Sequence, residues 1–137
     1  MAIIVRGVTP LLEVFDMHRS VEFYRDVLGF EVVQTWKPDG HFYWAMLKLG
    51  GAVLMLNGRY EDDKRPRQPD EHRSAGHGDT ELYLDCSNVD GAYSHLRAAG
   101  CPVEEPKSTH YGMRQVWVTD PDGFKLCFQS PSKNDEA

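Results

Sequence analysis

Cysteine is scarce in this chain of 137 residues: Cys86, Cys101 and Cys127 are an odd number at wide spacing. That excludes a disulfide framework and a CxxC metal or redox motif. Long apolar runs are missing too. No stretch approaches the roughly 20 residues a membrane helix needs, and the first residues lack the long apolar segment of a signal peptide. Positive charge is in deficit, with 15 Lys and Arg against 21 Asp and Glu and a formal net charge of −6. No nucleic-acid or membrane partner is expected, and a neutral or cationic small molecule is the more natural one. With 41% apolar and 26% charged residues the chain reads as globular, and the expected location is the cytoplasm.

What is present is one pattern written twice. Val14 to Phe30 leaves an apolar segment, passes Asp16, carries Met17, Val21, Tyr24 and Leu28 at helical spacing, and stops at Gly29. Cys86 to Gly100 does the same with Asn88 as the cap, Val89, Ala92, Tyr93, Leu96 and Ala99 as the stripe, and Gly100 as the stop. Asp and Asn belong at helix N-caps, where their side-chain oxygens accept from free amides, and Gly belongs just past the end. The repeat predicts a duplicated α+β unit.

Around the first helix, Thr9 to Phe15, Phe30 to Trp36, His41 to Leu49 and Ala52 to Leu56 read as strands, the second and third joined by the turn Lys37-Pro38-Asp39-Gly40. Around the second, Asp79 to Cys86, Pro102 to Glu105, Met113 to Thr119 and Phe124 to Gln129 do, with Asp120-Pro121-Asp122-Gly123 as a turn. Residues 1–57 are therefore a first β-α-β-β-β module and 79–129 a second. Residues 58–78, a mixed-charge stretch with two prolines, read as a solvated linker, with a lid as the minority alternative. Residues 130–137 read as a flexible tail.

The run FDMHRSVEFYRDVLGFEVV, the closing WVTDPDGFKLCFQ and the duplicated module resemble the vicinal oxygen chelate superfamily, which includes glyoxalase I, extradiol dioxygenases and the bleomycin-resistance proteins. The resemblance implies tandem modules forming a cupped, partly open, barrel-like sheet with a central cleft, completed by a homodimer. It also implies metal ligands, mostly His and Glu, at four strand positions. Those positions hold Thr9, Met55, Glu81 and Cys127 here. Only Glu81 is a good ligand for a hard cation, so no metal and no other cofactor is expected. Thr9-Pro10 and Tyr111-Gly112-Met113-Arg114 are most similar to the bleomycin-resistance branch, whose members bind a bulky cationic aromatic drug.

Strand alternation indicates what lines the cleft, since neighbouring side chains face opposite ways. With Leu12, Val14, Leu54 and Leu56 packing inward, Glu13, Met55 and Asn57 face the ligand. With Leu82, Leu84, Val116, Val118, Leu126 and Phe128 inward, Glu81, Tyr83, Met113, Trp117 and Cys127 do. Trp44, Tyr111 and Trp117 are the stacking candidates, with packing in a core or interface as the alternative for each tryptophan. Glu13 and Glu81 would favour a cation. The function expected is metal-independent binding of a planar, cationic ligand. The alternative is an enzyme of glyoxalase, lyase or dioxygenase type. No catalytic residue is identified, beyond Glu81 as a general base if an apolar cup raises its pKa. Open sheet edges add to the dimer expectation. Light scattering at micromolar concentration should return twice the 15.6 kDa of one chain, and a monomer would contradict the dimer.

Overall fold

The first helix starts where Asp16 can collect free amides. In the computed structural model, which describes residues 2–132, Asp16 Oδ1 accepts from the backbone N–H of His18 at 3.0 Å and of Arg19 at 3.3 Å. Helix α1 (Met17–Glu22) follows, then one π-type turn, Phe23–Val27. The expected stripe is what becomes buried: Met17, Val21, Tyr24 and Leu28 are each at most 5% exposed. Burying such a side chain contributes about 1.5–3 kcal/mol before entropy is counted.

The chain forms two compact units that divide at Arg67/Gln68, with Asp26–Leu28 counted to the second. In the first, β1 (Leu11–Val14), β2 (Glu31–Trp36), β3 (Trp44–Leu49) and β4 (Ala52–Gly58) make a sheet in the order β1-β4-β3-β2. β1 runs parallel to β4, and the other pairs are antiparallel. Leu12, Val14, Ala45, Leu47, Leu54 and Leu56, on the alternate positions of their strands, are buried. At Gly58 an added Cβ would meet Met17 Cγ, so the helix side of the sheet is close-packed there.

The second unit repeats the arrangement with β5 (Glu81–Asp85), α3 (Val89–Ala98), β6 (Lys107–Ser108), β7 (Met113–Thr119) and β8 (Lys125–Pro131), in the order β5-β8-β7-β6. Again the first and last strands are the parallel pair. Asn88 caps α3 by accepting from Gly91 N at 2.9 Å. Val89 and Leu96 carry the buried stripe, while Ala99 lies outside it and is exposed. The architecture is thus α+β, two tandem β-α-β-β-β modules, with neither four-stranded sheet closed into a barrel.

Three segments differ from the sequence expectations. Pro102 to Glu105 is not a strand. Pro102 and Pro106 have no N–H to give a ladder, and pairing begins only after them, at Lys107 and Ser108. The segment read as a solvated linker contains a helix, α2 (Glu71–Gly76), capped by Asp70 accepting from His72 N at 2.9 Å, and a 3₁₀ turn, His77–Asp79. It is tied to the Asp120–Gly123 turn: His77 Nδ1–H donates to the Asp122 carbonyl at 2.6 Å, and its ring stacks on Phe124 at 4.0 Å. At the other end Ser130 and Pro131 do not belong to a loose tail. They extend β8 opposite Arg114 and Met113, and Ser132 N donates to Gly112 O at 2.8 Å. The rest of that expected tail, residues 133–137, lies outside the described residues.

The closing turn is the tightest point of the second unit. Buried Asp120 accepts from Asp122 N at 2.8 Å and Phe124 N at 2.9 Å, and Gly123 sits at φ +90° with the Ser74 carbonyl where a Cβ would go. A side chain there meets both a backbone clash and left-handed strain of about 1–2 kcal/mol. Gly123→Ala should lower stability by at least about 2 kcal/mol in urea unfolding, with the loss showing as a displaced α2. A melting curve like the parent's would contradict this packing.

Candidate ligand-binding site

Cross-strand register turns the second sheet into rows. Glu81, Lys125 and Thr119 lie side by side, then Tyr83, Cys127 and Trp117, then Asp85, Gln129 and Gln115. All belong to the face opposite the buried Leu126 and Phe128, as alternation predicts for Glu81, Tyr83, Trp117 and Cys127. Met113 continues the face beside Pro131, and Tyr111 overhangs it from the turn before β7.

The middle row is aromatic over a buried thiol. Tyr83 and Trp117 meet edge to face, with centroids 5.5 Å apart and planes at 80°, and Cys127 between them in the register is fully buried. The Tyr83 hydroxyl donates to Glu81 Oε1 at 3.0 Å, and this bond to a carboxylate raises the Tyr83 pKa. A second network holds the far row. Trp117 Nε1–H donates to Gln115 Oε1 at 3.2 Å, and Gln115 Nε2 donates at 3.1 Å both to the Tyr111 hydroxyl and to Gln129 Oε1. Gln129 Nε2 in turn donates to Asp85 Oδ1 at 3.4 Å. Gln115, Gln129 and Asp85 were not picked out as binding residues from the sequence, although alternation placed them on this face.

The first sheet carries the remaining candidates. Leu11, Met55 and Met46 form one row, and Glu13, Asn57, Trp44 and Trp36 the next. Met55, Asn57 and Trp44 are half-buried on the face away from α1. Glu13 differs from expectation in one respect: Arg59 Nη1 lies 3.4 Å from its Oε1, so its charge is partly met within the chain. Trp36, not considered a candidate, is 59% exposed on edge strand β2.

Metal chemistry finds little purchase at the four positions that the resemblance implies for ligands. Thr9 offers an alcohol, Met55 a thioether and Glu81 a carboxylate. The Cys127 thiol, a soft donor, is fully buried, and its pKa is pushed up from the ordinary 9.0 to about 11, first by burial and then by the Glu81 carboxylate and Cys86. One carboxylate among these donors does not make a catalytic divalent site, which takes about three imidazole or carboxylate ligands. The donor set does not fit. Elsewhere in the first unit the ligand atoms of His41, Glu61 and Asp63 lie within 4.8 Å of one another. There, however, Tyr43 donates to Glu61 Oε1 at 2.6 Å and the Lys64 ammonium stands 3.2 Å from Oε2, so both oxygens of Glu61 are already engaged.

General-base chemistry at Glu81 lacks its premise as well. The role needs an apolar enclosure, and Glu81 is exposed on an edge strand with Tyr83 donating to it. A shallow hollow of about 220 Å³ lies beside it, lined by Trp117, Thr119 and Lys125 among others. A larger one, about 510 Å³, opens near the start of α3 around Ser87, Asn88, Ser108, Arg114 and Ser132. Arg114 alternates with Gln115, so this hollow belongs to the opposite face, and the Arg114 guanidinium is already forked onto Asp90 at 2.7 and 3.2 Å.

The model of the Glyoxalase/Bleomycin resistance protein/Dioxygenase superfamily matches residues 8–128. A probable lactoylglutathione lyase of Synechocystis sp. is 29% identical over 135 residues, covering 91% of this chain and 95% of that one. The lactoylglutathione lyase of Haemophilus influenzae is 28% identical, covering 86% and 87%. Among solved structures, a glyoxalase/bleomycin resistance protein from Streptomyces sp. CB03234 superposes with TM-score 0.62 at 26% identity, covering 90% of this chain and all of that one. A glyoxalase/bleomycin resistance protein/dioxygenase from Nocardioides reaches TM-score 0.69 at 20% identity, covering 96% and 87%, and speaks for the fold alone.

Burial and a pKa near 11 make Cys127 a packing residue, not a nucleophile. Iodoacetamide at pH 8 should leave it unmodified in the native protein and label it once urea is added, as read by peptide mass mapping. Rapid native labelling would show the thiol to be open and activated.

Proposed function

Because the chain belongs to the Glyoxalase/Bleomycin resistance protein/Dioxygenase superfamily, we propose that it binds a planar, cationic small molecule on these sheet faces without using a metal. The observation that carries the reading is the middle row of the second sheet: an aromatic pair, Tyr83 and Trp117, over an inert thiol, with the Glu81 carboxylate alongside. Aromatic stacking contributes about 0.5–1.5 kcal/mol per pair beyond area burial, and a cation against an aromatic face about 0.5–2 kcal/mol. A few such contacts with apolar burial suffice for micromolar affinity, about −8 kcal/mol. The net charge of −6 favours the same ligand sign.

A second reading is a glyoxalase-type lyase, and the similar proteins support it better than they support the binder: the Synechocystis and Haemophilus proteins bear lactoylglutathione lyase names. Against it stands the chemistry of Thr9, Met55, Glu81 and Cys127. The first reading rests on those side chains, the second on relatives under 30% identical.

One set of measurements separates the two. Under the binding reading, elemental analysis of the purified protein should find no stoichiometric zinc, nickel or iron, and tryptophan fluorescence should be quenched by a metal-free cationic heterocycle such as bleomycin. Trp117→Ala should weaken that binding about 10-fold or more. Turnover of a hemithioacetal, dependent on one metal equivalent that is lost in Glu81→Gln, would establish the lyase instead.

A further inference from the structure

The hydrogen-bonded amides of the second sheet form a chain whose direction is fixed at both ends. At one end the Asp85 carboxylate, when ionised, can only accept, so Gln129 turns its Nε2 toward it and its Oε1 toward Gln115. At the other end the Trp117 indole can only donate, so Gln115 turns its Oε1 toward Trp117 and its Nε2 toward Gln129. Side-chain amides are otherwise free to exchange oxygen and nitrogen by a half-turn. Here a half-turn of either one opposes donor to donor or acceptor to acceptor.

This direction reaches the ligand-facing groups. Gln115 Nε2 donates to the Tyr111 oxygen, which leaves the Tyr111 O–H to point its own hydrogen outward from a side chain that is 59% exposed. The Trp117 N–H is consumed by Gln115, so Trp117 offers a ligand its ring and no donor. Across the same row the Tyr83 hydroxyl spends its hydrogen on Glu81, so that end offers acceptors: the Tyr83 oxygen and the carboxylate. Residues two apart on a strand are about 6.6–6.8 Å apart, so the Glu81 row and the Gln115 row, to which the Tyr111 hydroxyl is bonded, are about 13 Å apart at the backbone.

We infer that Asp85 and Trp117, fixing Gln129 and Gln115 from the two ends, set the hydrogen-bonding polarity of this face, and that the face takes an elongated planar molecule with a cation or donor at the Glu81 end and an acceptor such as a carbonyl at the Tyr111 end. Asp85 is a positioning residue: it lies three hydrogen bonds from the Tyr111 oxygen and need not touch the ligand. The ligand half of the inference rests on the binding reading, while the relay itself is a property of the ligand-free protein.

The relay is tested without ligand, by NMR of the ¹⁵N-labelled protein. Trp117→Phe identifies the Trp117 indole N–H resonance, and Gln115→Leu gives its position with the acceptor removed. Asp85→Asn is nearly isosteric but brings an amide that can donate. It frees Gln129 while the Trp117 indole still holds Gln115. The Trp117 indole proton should therefore stay in place in Asp85→Asn and move upfield, with faster solvent exchange, in Gln115→Leu, while the Trp36 and Trp44 indoles stay in place as a check on folding. A Trp117 resonance unmoved in Gln115→Leu, or displaced in Asp85→Asn, overturns the relay.

Two probes test the ligand class, an acridinium carrying an acetyl group and one carrying an amino group at the same position. The parent protein and either single variant, Asp85→Asn or Trp117→Phe, should bind the acetyl probe about 3- to 10-fold more tightly, the range one hydrogen bond supplies, and the double variant should lose that preference. Equal binding of both probes overturns the polarity while leaving the binding reading standing. Binding of neither overturns the ligand class and the binding reading together, and leaves the indole result to decide the relay.

Discussion

The second sheet depends on the grip that β8 receives from both sides in a single register. β5 lies parallel on one flank and β7 antiparallel on the other, and every residue from Lys125 to Gln129 has a partner on each. Because side chains on a strand alternate with period two, a slip of one residue would exchange Leu126 and Phe128 for Cys127 and Gln129 at the core. The slip is prevented at the start of β8, where Asp120 collects two amides and Gly123 lies under the Ser74 carbonyl. Tight turn and aromatic row are one device: the first fixes which residues can form the second.

The two faces are chemically unequal although the two modules share one strand order. On the first sheet Glu13 has Arg59 beside it, and the exposed aromatic is Trp36 at the edge. On the second, Glu81 is met by a neutral hydroxyl and retains its charge for an outside partner. The duplicated backbone therefore presents two faces whose carboxylates differ in their neighbours, a guanidinium on one and a hydroxyl on the other. A fold fixed by capping, stripes and turns leaves the face residues free to vary, so one superfamily architecture can carry different chemistry.

Most of the backbone was legible in the sequence because its determinants are local. Asp16 and Asn88 mark helix starts, the apolar stripes between them and the terminal glycines mark helix faces, and alternation marks strand faces. Met55, Asn57, Glu81, Tyr83, Trp117 and Cys127 all lie on the faces that alternation gave them. Helix α2 was hidden because its residues are polar and its stabilising contacts are distant, His77 on Phe124 and Ser74 against Gly123. The Gln115–Gln129 amide pair was hidden for a related reason. A glutamine carries no periodic signal, and which partner it meets depends on register across strands 14 residues apart. Whether an apolar cup would enclose Glu81 could not be read because sequence alternation tells faces apart without telling edges from centres, and β5 lies at the edge of its sheet.

That edge position has another consequence. An unpaired strand edge is a template on which a foreign strand can grow, and proteins guard such edges with charge. β5 carries Glu81 and Asp85, both exposed, flanking its central Tyr83. The same acids that the proposed ligand reading assigns to a cation therefore also guard this edge against aggregation. Descendants of this chain that turned toward uncharged ligands by shedding those carboxylates would lose colloidal protection in the same step, which ties ligand choice to solubility.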